Sequence, residues 1–123
     1  MFKILIFAKR KPGLTREQFI DRYENVHIPL TVKLVEEGKI PPLISYKRNF
    51  IDHDHPLNIG SVPYDVVTEA CYADRAGFEN NRSGLTDPEV AELVGRDMSE
   101  LLDLTDVQYI VVDEFTGGGG APN

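Results

Sequence analysis

Residues 2–30, FKILIFAKRKPGLTREQFIDRYENVHIPL, read as a strand, a turn and a helix in that order. Phe2, Ile4 and Ile6 alternate with Leu5 and Phe7, so the first stretch is apolar on both faces, the pattern of a strand covered on both sides. Pro12-Gly13 turns the chain. Thr15 and Gln18 stand at the spacing of a capping box, in which each satisfies a backbone donor near the other. Phe19, Tyr23, Val26, His27, Leu30 and Leu34 then recur at three- and four-residue intervals and predict one buried helical stripe. Pro29 has no backbone N–H and disfavours helical geometry at Ile28, which predicts a kink or restart there. Gly38 ends the helix.

Beyond Pro41-Pro42, the segment Leu43–Ile51 predicts a second strand with Tyr46, Arg48 and Phe50 on one side. Residues 52–63 are a loop rich in Asp, His, Pro, Gly and Asn, and Asp65–Ala73 reads as the third strand. A short helix is expected over 74–81, before a break at Ser83-Gly84. Asp87-Pro88-Glu89 is a strong helix start. That helix should carry Val90, Leu93, Val94, Met98, Leu101 and Leu102 inward. Val107–Phe115 reads as the fourth strand, and residues 117–123 as a flexible Gly-rich tail outside a domain of residues 1–116.

Strand-helix-strand-strand-helix-strand is the ferredoxin-like α+β arrangement, a four-stranded antiparallel sheet with helices on one face. Because the first and fourth strands are apolar on the other face too, a lone copy would leave a larger patch than soluble monomers tolerate. The expectation is a homodimer in which two sheets close face to face as a dimeric α/β barrel.

The 123 residues suit one domain, and a net charge of −7 disfavours nucleic-acid binding. No apolar run approaches the ~20 residues that span a bilayer, so no membrane partner is expected. The N-terminus lacks a basic leader and cleavage site, and the single Cys71 forms no internal disulfide, so a cytoplasmic setting is expected.

Three blocks carry a family resemblance: KRKPGLTREQFIDRYENVHIPL at 9–30, YDVVTEACYAD at 64–74 and DMSELLDLTDVQYIVVDE at 97–114. The chain resembles the EthD family of the dimeric α/β-barrel superfamily. The family is named for an ether-degradation cluster. Related members resemble cofactor-free dehydratases, decarboxylases or cyclases of polyketide-type phenolics, and methylmuconolactone isomerases are similar in fold. The resemblance implies His27 as the catalytic residue with Tyr23 beside it. The lactone isomerases place a reactive cysteine in the third strand, whereas Cys71 falls one position later, on the opposite strand face, which argues against a cysteine mechanism.

Read from the residues, His27 shares a helix face with Tyr23 and Leu30. It is either a general acid or base pointing into a barrel cavity or a core histidine held by a backbone carbonyl. Glu69 and Asp65 share a face of the third strand with Val67 and Cys71. As a third catalytic residue Glu69 either orients or charges His27 or is itself the base with a raised pKa; otherwise it forms a cross-strand pair with Arg48 or Lys47 at the solvent edge. Tyr46, Arg48, Phe7, Asp65 and His53 are expected substrate-binding residues, with Arg48 holding a carboxylate or phenolate. Tyr72 and Tyr109 read as core or interface residues. Asp52-His53-Asp54-His55 alternates imidazole and carboxylate, but adjacent loop side chains diverge and no distant ligand completes a set, so no metal is expected and the loop is read as a lid. No phosphate loop, dinucleotide fingerprint or nucleophile elbow is present, and no cofactor is expected.

These readings converge on a cofactor-independent lyase, cyclase or isomerase. Its substrate would be a hydrophobic phenolic, polyketide-like or lactone molecule, and His27 would move the proton. The alternatives are a monooxygenase of the same barrel, with or without haem, and a non-catalytic small-molecule binding protein.

Overall fold

A computed structural model describes residues 1–120, apart from the side chains of residues 83 and 84. The elements are β1 (Phe2–Arg10), α1 (Arg16–Arg22), a π-helical turn (Tyr23–His27), α2 (Ile28–Glu36), β2 (Ser45–Phe50), β3 (Val66–Tyr72), α3 (Arg75–Gly84), α4 (Pro88–Leu101) and β4 (Leu102–Val112). The strands form one sheet in the order β2-β3-β1-β4, antiparallel at every pairing. This is the expected ferredoxin-like topology.

The capping box at the start of α1 is formed. Gln18 N–H donates to Thr15 Oγ1 at 3.2 Å, and the Gln18 side-chain oxygen accepts from Thr15 N–H at 2.9 Å. At the other end Gly38 takes φ +71°, a conformation that glycine adopts without steric cost. Its N–H reaches Val35 O, while Lys39 N–H reaches Leu34 O, closing α2 with a Schellman motif.

The break expected at Pro29 takes another form. The helix does not stop; it widens upstream, and Ile28 N–H donates to Tyr23 O, five residues back. Proline can neither donate to the carbonyl four residues before it nor fit its ring against it, and the wider turn relieves both problems. The extra residue also rotates the stripe. Phe19, Tyr23, His27 and Leu34 are buried, but Val26, expected inward, is 42% exposed.

Two further boundaries differ from expectation. Helix α3 runs on through Gly84, past the break read at Ser83-Gly84. Strand β4 begins at Leu102, with its register shifted against β1 between Ala8 and Arg10, so Leu102 is the first strand residue and not the last helical one. Leu93, expected inward on α4, is largely exposed. The final residues of the expected tail, 121–123, lie outside the described residues.

The helices cover one face of the sheet. On it Ile4 and Ala8 of β1 pair with Ala70 and Val66 of β3, and Phe50 of β2 lies opposite Val66. Phe19, Tyr23 and Leu101 pack down onto Ala8, Val66 and Leu102 to form the main core. Each fully buried side chain of the Phe19 or Leu101 kind contributes about 1.5–3 kcal/mol. A second cluster, Leu34, Ile40 and Val90, closes the far end of the helical layer. The opposite face carries Lys3, Leu5, Phe7, Val67, Glu69 and Ile110, and no helix among the described residues covers it. No helix among the described residues is long and apolar enough to cross a membrane.

Candidate active site in the cleft between sheet and helices

His27 is the last residue of the π-helical turn and is 6% exposed. Its Nδ1 lies 2.6 Å from Oδ2 of Asp97 on α4, and Asp97 is equally buried. The other carboxylate oxygen, Oδ1, accepts from Arg22 of α1 at 3.3 Å. An ionised carboxylate only accepts, so against it Nδ1 is the donor, and in the neutral imidazole Nε2 then carries the lone pair. Arg22 shares the Asp97 charge, so the buried carboxylate does not rest on the imidazole alone.

The same imidazole lies edge-on to the Tyr23 ring, with 5.1 Å between centroids. The Tyr23 hydroxyl lies 3.0 Å from Thr68 Oγ1 on β3 and 3.0 Å from the Tyr46 hydroxyl on β2. Burial pushes both phenols above their ordinary range, Tyr46 well above it. Both are therefore neutral hydrogen-bonding groups at any physiological pH.

His27 and Tyr46 border a cleft of about 600 Å³ between the sheet and the helical layer. Its floor is Ile4, Ile6 and Ala70, and its roof includes Ile28, Val94 and Met98. That size and apolar lining suit a small ring system, with a few polar groups to fix its orientation.

The residues expected at the site divide between the two faces of the sheet. His27, Tyr46 and Arg48 border the cleft. Tyr23 lies beneath Tyr46 and reaches the cleft through that hydroxyl. Arg48 donates from both Nε and Nη2 to Glu24, and from Nη1 to Tyr46 O at 3.0 Å, so its charge is already matched. Glu69 does not approach His27: it points from the opposite face, where Lys3 Nζ donates to it at 2.6 Å and Asn49 at 2.9 Å. Those donors hold its carboxyl below the usual range, with Lys3 the larger cause.

Phe7 is on that same opposite face, packed edge-on against Tyr64 at 5.6 Å. Asp65 is bound by the Arg10 backbone and guanidinium and by His53 Nε2 at 3.1 Å. It anchors the 52–63 loop instead of lining the cleft. Within that loop Asp52 and His55 accept backbone N–H bonds from Asp54 and Leu57, which fixes both side chains in local turns. The imidazole of His27 thus faces the sheet-helix cleft within one chain, and not a chamber between two sheets as expected. The physical reason is the side on which α1 lies, because its buried stripe meets the helix-covered face.

The sequence matches the EthD domain over residues 11–105. The chain belongs to the EthD family. Among solved structures it resembles an EthD family protein from Bacillus halodurans at 23% identity and TM-score 0.60, covering 94% of this chain and all of that one. HapK from Hahella chejuensis is similar at 17% identity and TM-score 0.61, with 99% and 100% covered. A dimeric ferredoxin-like protein from Jannaschia sp. is similar at 12% identity and TM-score 0.57, with 92% and 98% covered. No curated protein matches the chain. At these identities the structural likeness establishes the fold alone.

In this EthD domain the site residues that sequence reasoning does not single out are Asp97, Tyr72 and Tyr109. Tyr72 and Tyr109, expected in core or interface, border the cleft. Asp97 has a legible signal. It stands three residues after Val94 and four before Leu101, on the stripe that α4 turns inward. A carboxylate at a core position of an amphipathic helix requires a partner, and His27 is the basic residue on the facing buried stripe.

Proposed function

We propose that the chain is a cofactor-independent lyase, cyclase or isomerase acting on a small, largely hydrophobic phenolic, polyketide-like or lactone substrate, with His27 as general base and acid. The observation that carries this reading is the buried His27–Asp97 pair at the wall of a mostly apolar cleft. Nε2 takes a proton from an acidic C–H or phenol, and the electron pair moves to the neighbouring carbonyl oxygen. Tyr46 O–H donates to the enolate so formed, with Tyr23 and Thr68 fixing the phenol behind it. Asp97 stabilises the imidazolium and keeps the ring oriented. The proton then returns to a leaving hydroxyl in a dehydration, or to another carbon in an isomerisation. Glu69 has no part in this scheme, and Tyr23 acts as a positioning residue.

A homodimer belongs to the same proposal. The sheet face without helices exposes Ile110 beside Leu5, Val67 and Val112, and the similar Jannaschia protein is described as dimeric.

The test is turnover of a panel of polycyclic phenolic ketones and lactones by the wild type and by His27→Ala. The variant should lose about 10²–10⁴-fold in kcat/KM while still binding substrate. Equal turnover by both proteins would overturn the assignment. Ligand binding without turnover by the wild type would favour the non-catalytic binding protein.

A further inference from the structure

Arg82 borders the cleft at the C-terminal end of α3. Its guanidinium lies 5.8 Å from the Phe78 ring centroid and 5.5 Å from that of Tyr109. Two aromatic rings from different elements flank the guanidinium within cation–π range, which leaves its N–H groups available to an acceptor. Among the described residues no carboxylate pairs with it. Glu36 is the carboxylate of the cleft lining, and it forms no ion pair with Arg82. Arg48, the other guanidinium of the cleft, is committed to Glu24 and to a backbone carbonyl.

The sheet register sets the distance between the polar ends. Tyr46 is on β2 and Tyr109 on β4, at opposite edges of the order β2-β3-β1-β4. Three inter-strand spacings of about 4.8 Å separate those edges, roughly 14 Å in all. One end holds the Tyr46 hydroxyl beside the Tyr23–His27 ring pair, the other holds Arg82, and Ile4, Ile6 and Ala70 lie between.

We propose that Arg82 is the specificity residue of the cleft, holding a carboxylate or phenolate at one end of a planar substrate of two or more fused rings whose reacting end lies at Tyr46 and His27. This rests on the reading of the cleft as a catalytic site for aromatic molecules and names the charge and length of what enters it. The net charge of −7 repels anions at long range, so a preference for an anionic ligand has to come from a local cation. A bidentate guanidinium-carboxylate contact supplies one, with a matching geometry.

The experiment is calorimetric titration of 6-hydroxy-2-naphthoate and of its neutral carboxamide into the wild type, Arg82→Gln and Arg48→Gln at low salt. The wild type should bind the acid on the order of tenfold more tightly than the amide. Arg82→Gln, an exposed position whose change leaves the core intact, should bind both equally, and Arg48→Gln should keep the preference. Equal affinity of the wild type for acid and amide, or a preference that survives Arg82→Gln, overturns the role of Arg82 and leaves the catalytic reading standing. Binding of neither compound overturns the aromatic cleft and the Arg82 proposal together.

Discussion

The two faces of this sheet share the same strands and differ in nearly every chemical respect. On the covered face, Ile4, Ile6 and Ala70 form an apolar floor, and Tyr46, Tyr72 and Tyr109 bring phenol groups to the cleft lining. Apart from Arg82 and Glu36 in the cleft lining, its ionised groups are matched: Asp97 lies between Arg22 and His27, and Glu24 lies against Arg48. On the bare face a buried lysine, Lys3, sits in the sheet itself, bonded to Glu69 and Glu114 and flanked by Leu5, Val67 and Val112. Those hydrogen bonds hold the Lys3 ammonium above its ordinary range, Glu114 being the larger cause. The difference teaches where chemistry can be sustained. A roofed face excludes water and makes a hydrogen-bonded imidazole selective, whereas an unroofed one uses its charges to pair with each other.

The sharpest way to break this comparison is to remove one carboxylate from each face. Asp97→Asn takes away a charge-assisted hydrogen bond to the imidazole of about 1.5–3 kcal/mol, so kcat/KM should fall roughly 10- to 100-fold, mainly in kcat. Glu69→Gln should change kcat/KM by less than about twofold, since Glu69 lies on the face away from the cleft and Lys3 keeps Glu114 as its partner. Equal losses in the two variants would abolish the distinction between the faces.

Next in size is an effect confined to the bare face. Ile110→Lys should weaken self-association on the order of tenfold or more, seen as a shift from dimer toward monomer in light scattering, with turnover in the cleft retained at concentrations where dimer persists. A wild type already monomeric at micromolar concentration would remove the proposed partner from that face.

The smallest effect is a pH dependence. Burial raises the Tyr23 and Tyr46 phenols in the folded chain, whereas the unfolded chain loses those protons near pH ~10. Above that pH the folded state binds more protons, so stability falls as pH rises. Tyrosinate absorbance should therefore develop in two stages, the buried phenols ionising only as the circular dichroism of the fold is lost. Ionisation of all five tyrosines in a chain that keeps its native dichroism would contradict the buried hydroxyl chain.

How much of the molecule is legible in its sequence follows from how each signal is encoded. Local signals hold: the Thr15–Gln18 capping box, Asp87 at the start of α4, Gly38 at the end of α2 and the alternation of Tyr46, Arg48 and Phe50 are set by neighbours in the chain. The order of elements follows from them. What the sequence does not reveal is which face of β3 the helices cover. Alternation groups residues 65, 67, 69 and 71 on one face without saying that this face is the bare one. Glu69, Asp65 and Phe7 consequently do not converge with His27 and Tyr46. The start of β4 at Leu102 is hidden because Leu101 and Leu102 continue the helical period of α4 while the chain is already extended. Asp97 escapes a search for apolar residues on an inward stripe, because it is the charged one among them.

The central claim is that ligand chemistry belongs to the covered face, at His27. Methyl-resolved nuclear magnetic resonance during titration with 6-hydroxy-2-naphthoate reads this directly. Shifts are expected at the methyls of Ile4, Ile6 and Ile28 and at the His27 ring, with Leu5, Val67 and Ile110 unmoved. Shifts centred on Leu5, Val67 and Ile110, with the His27 ring silent, would contradict it.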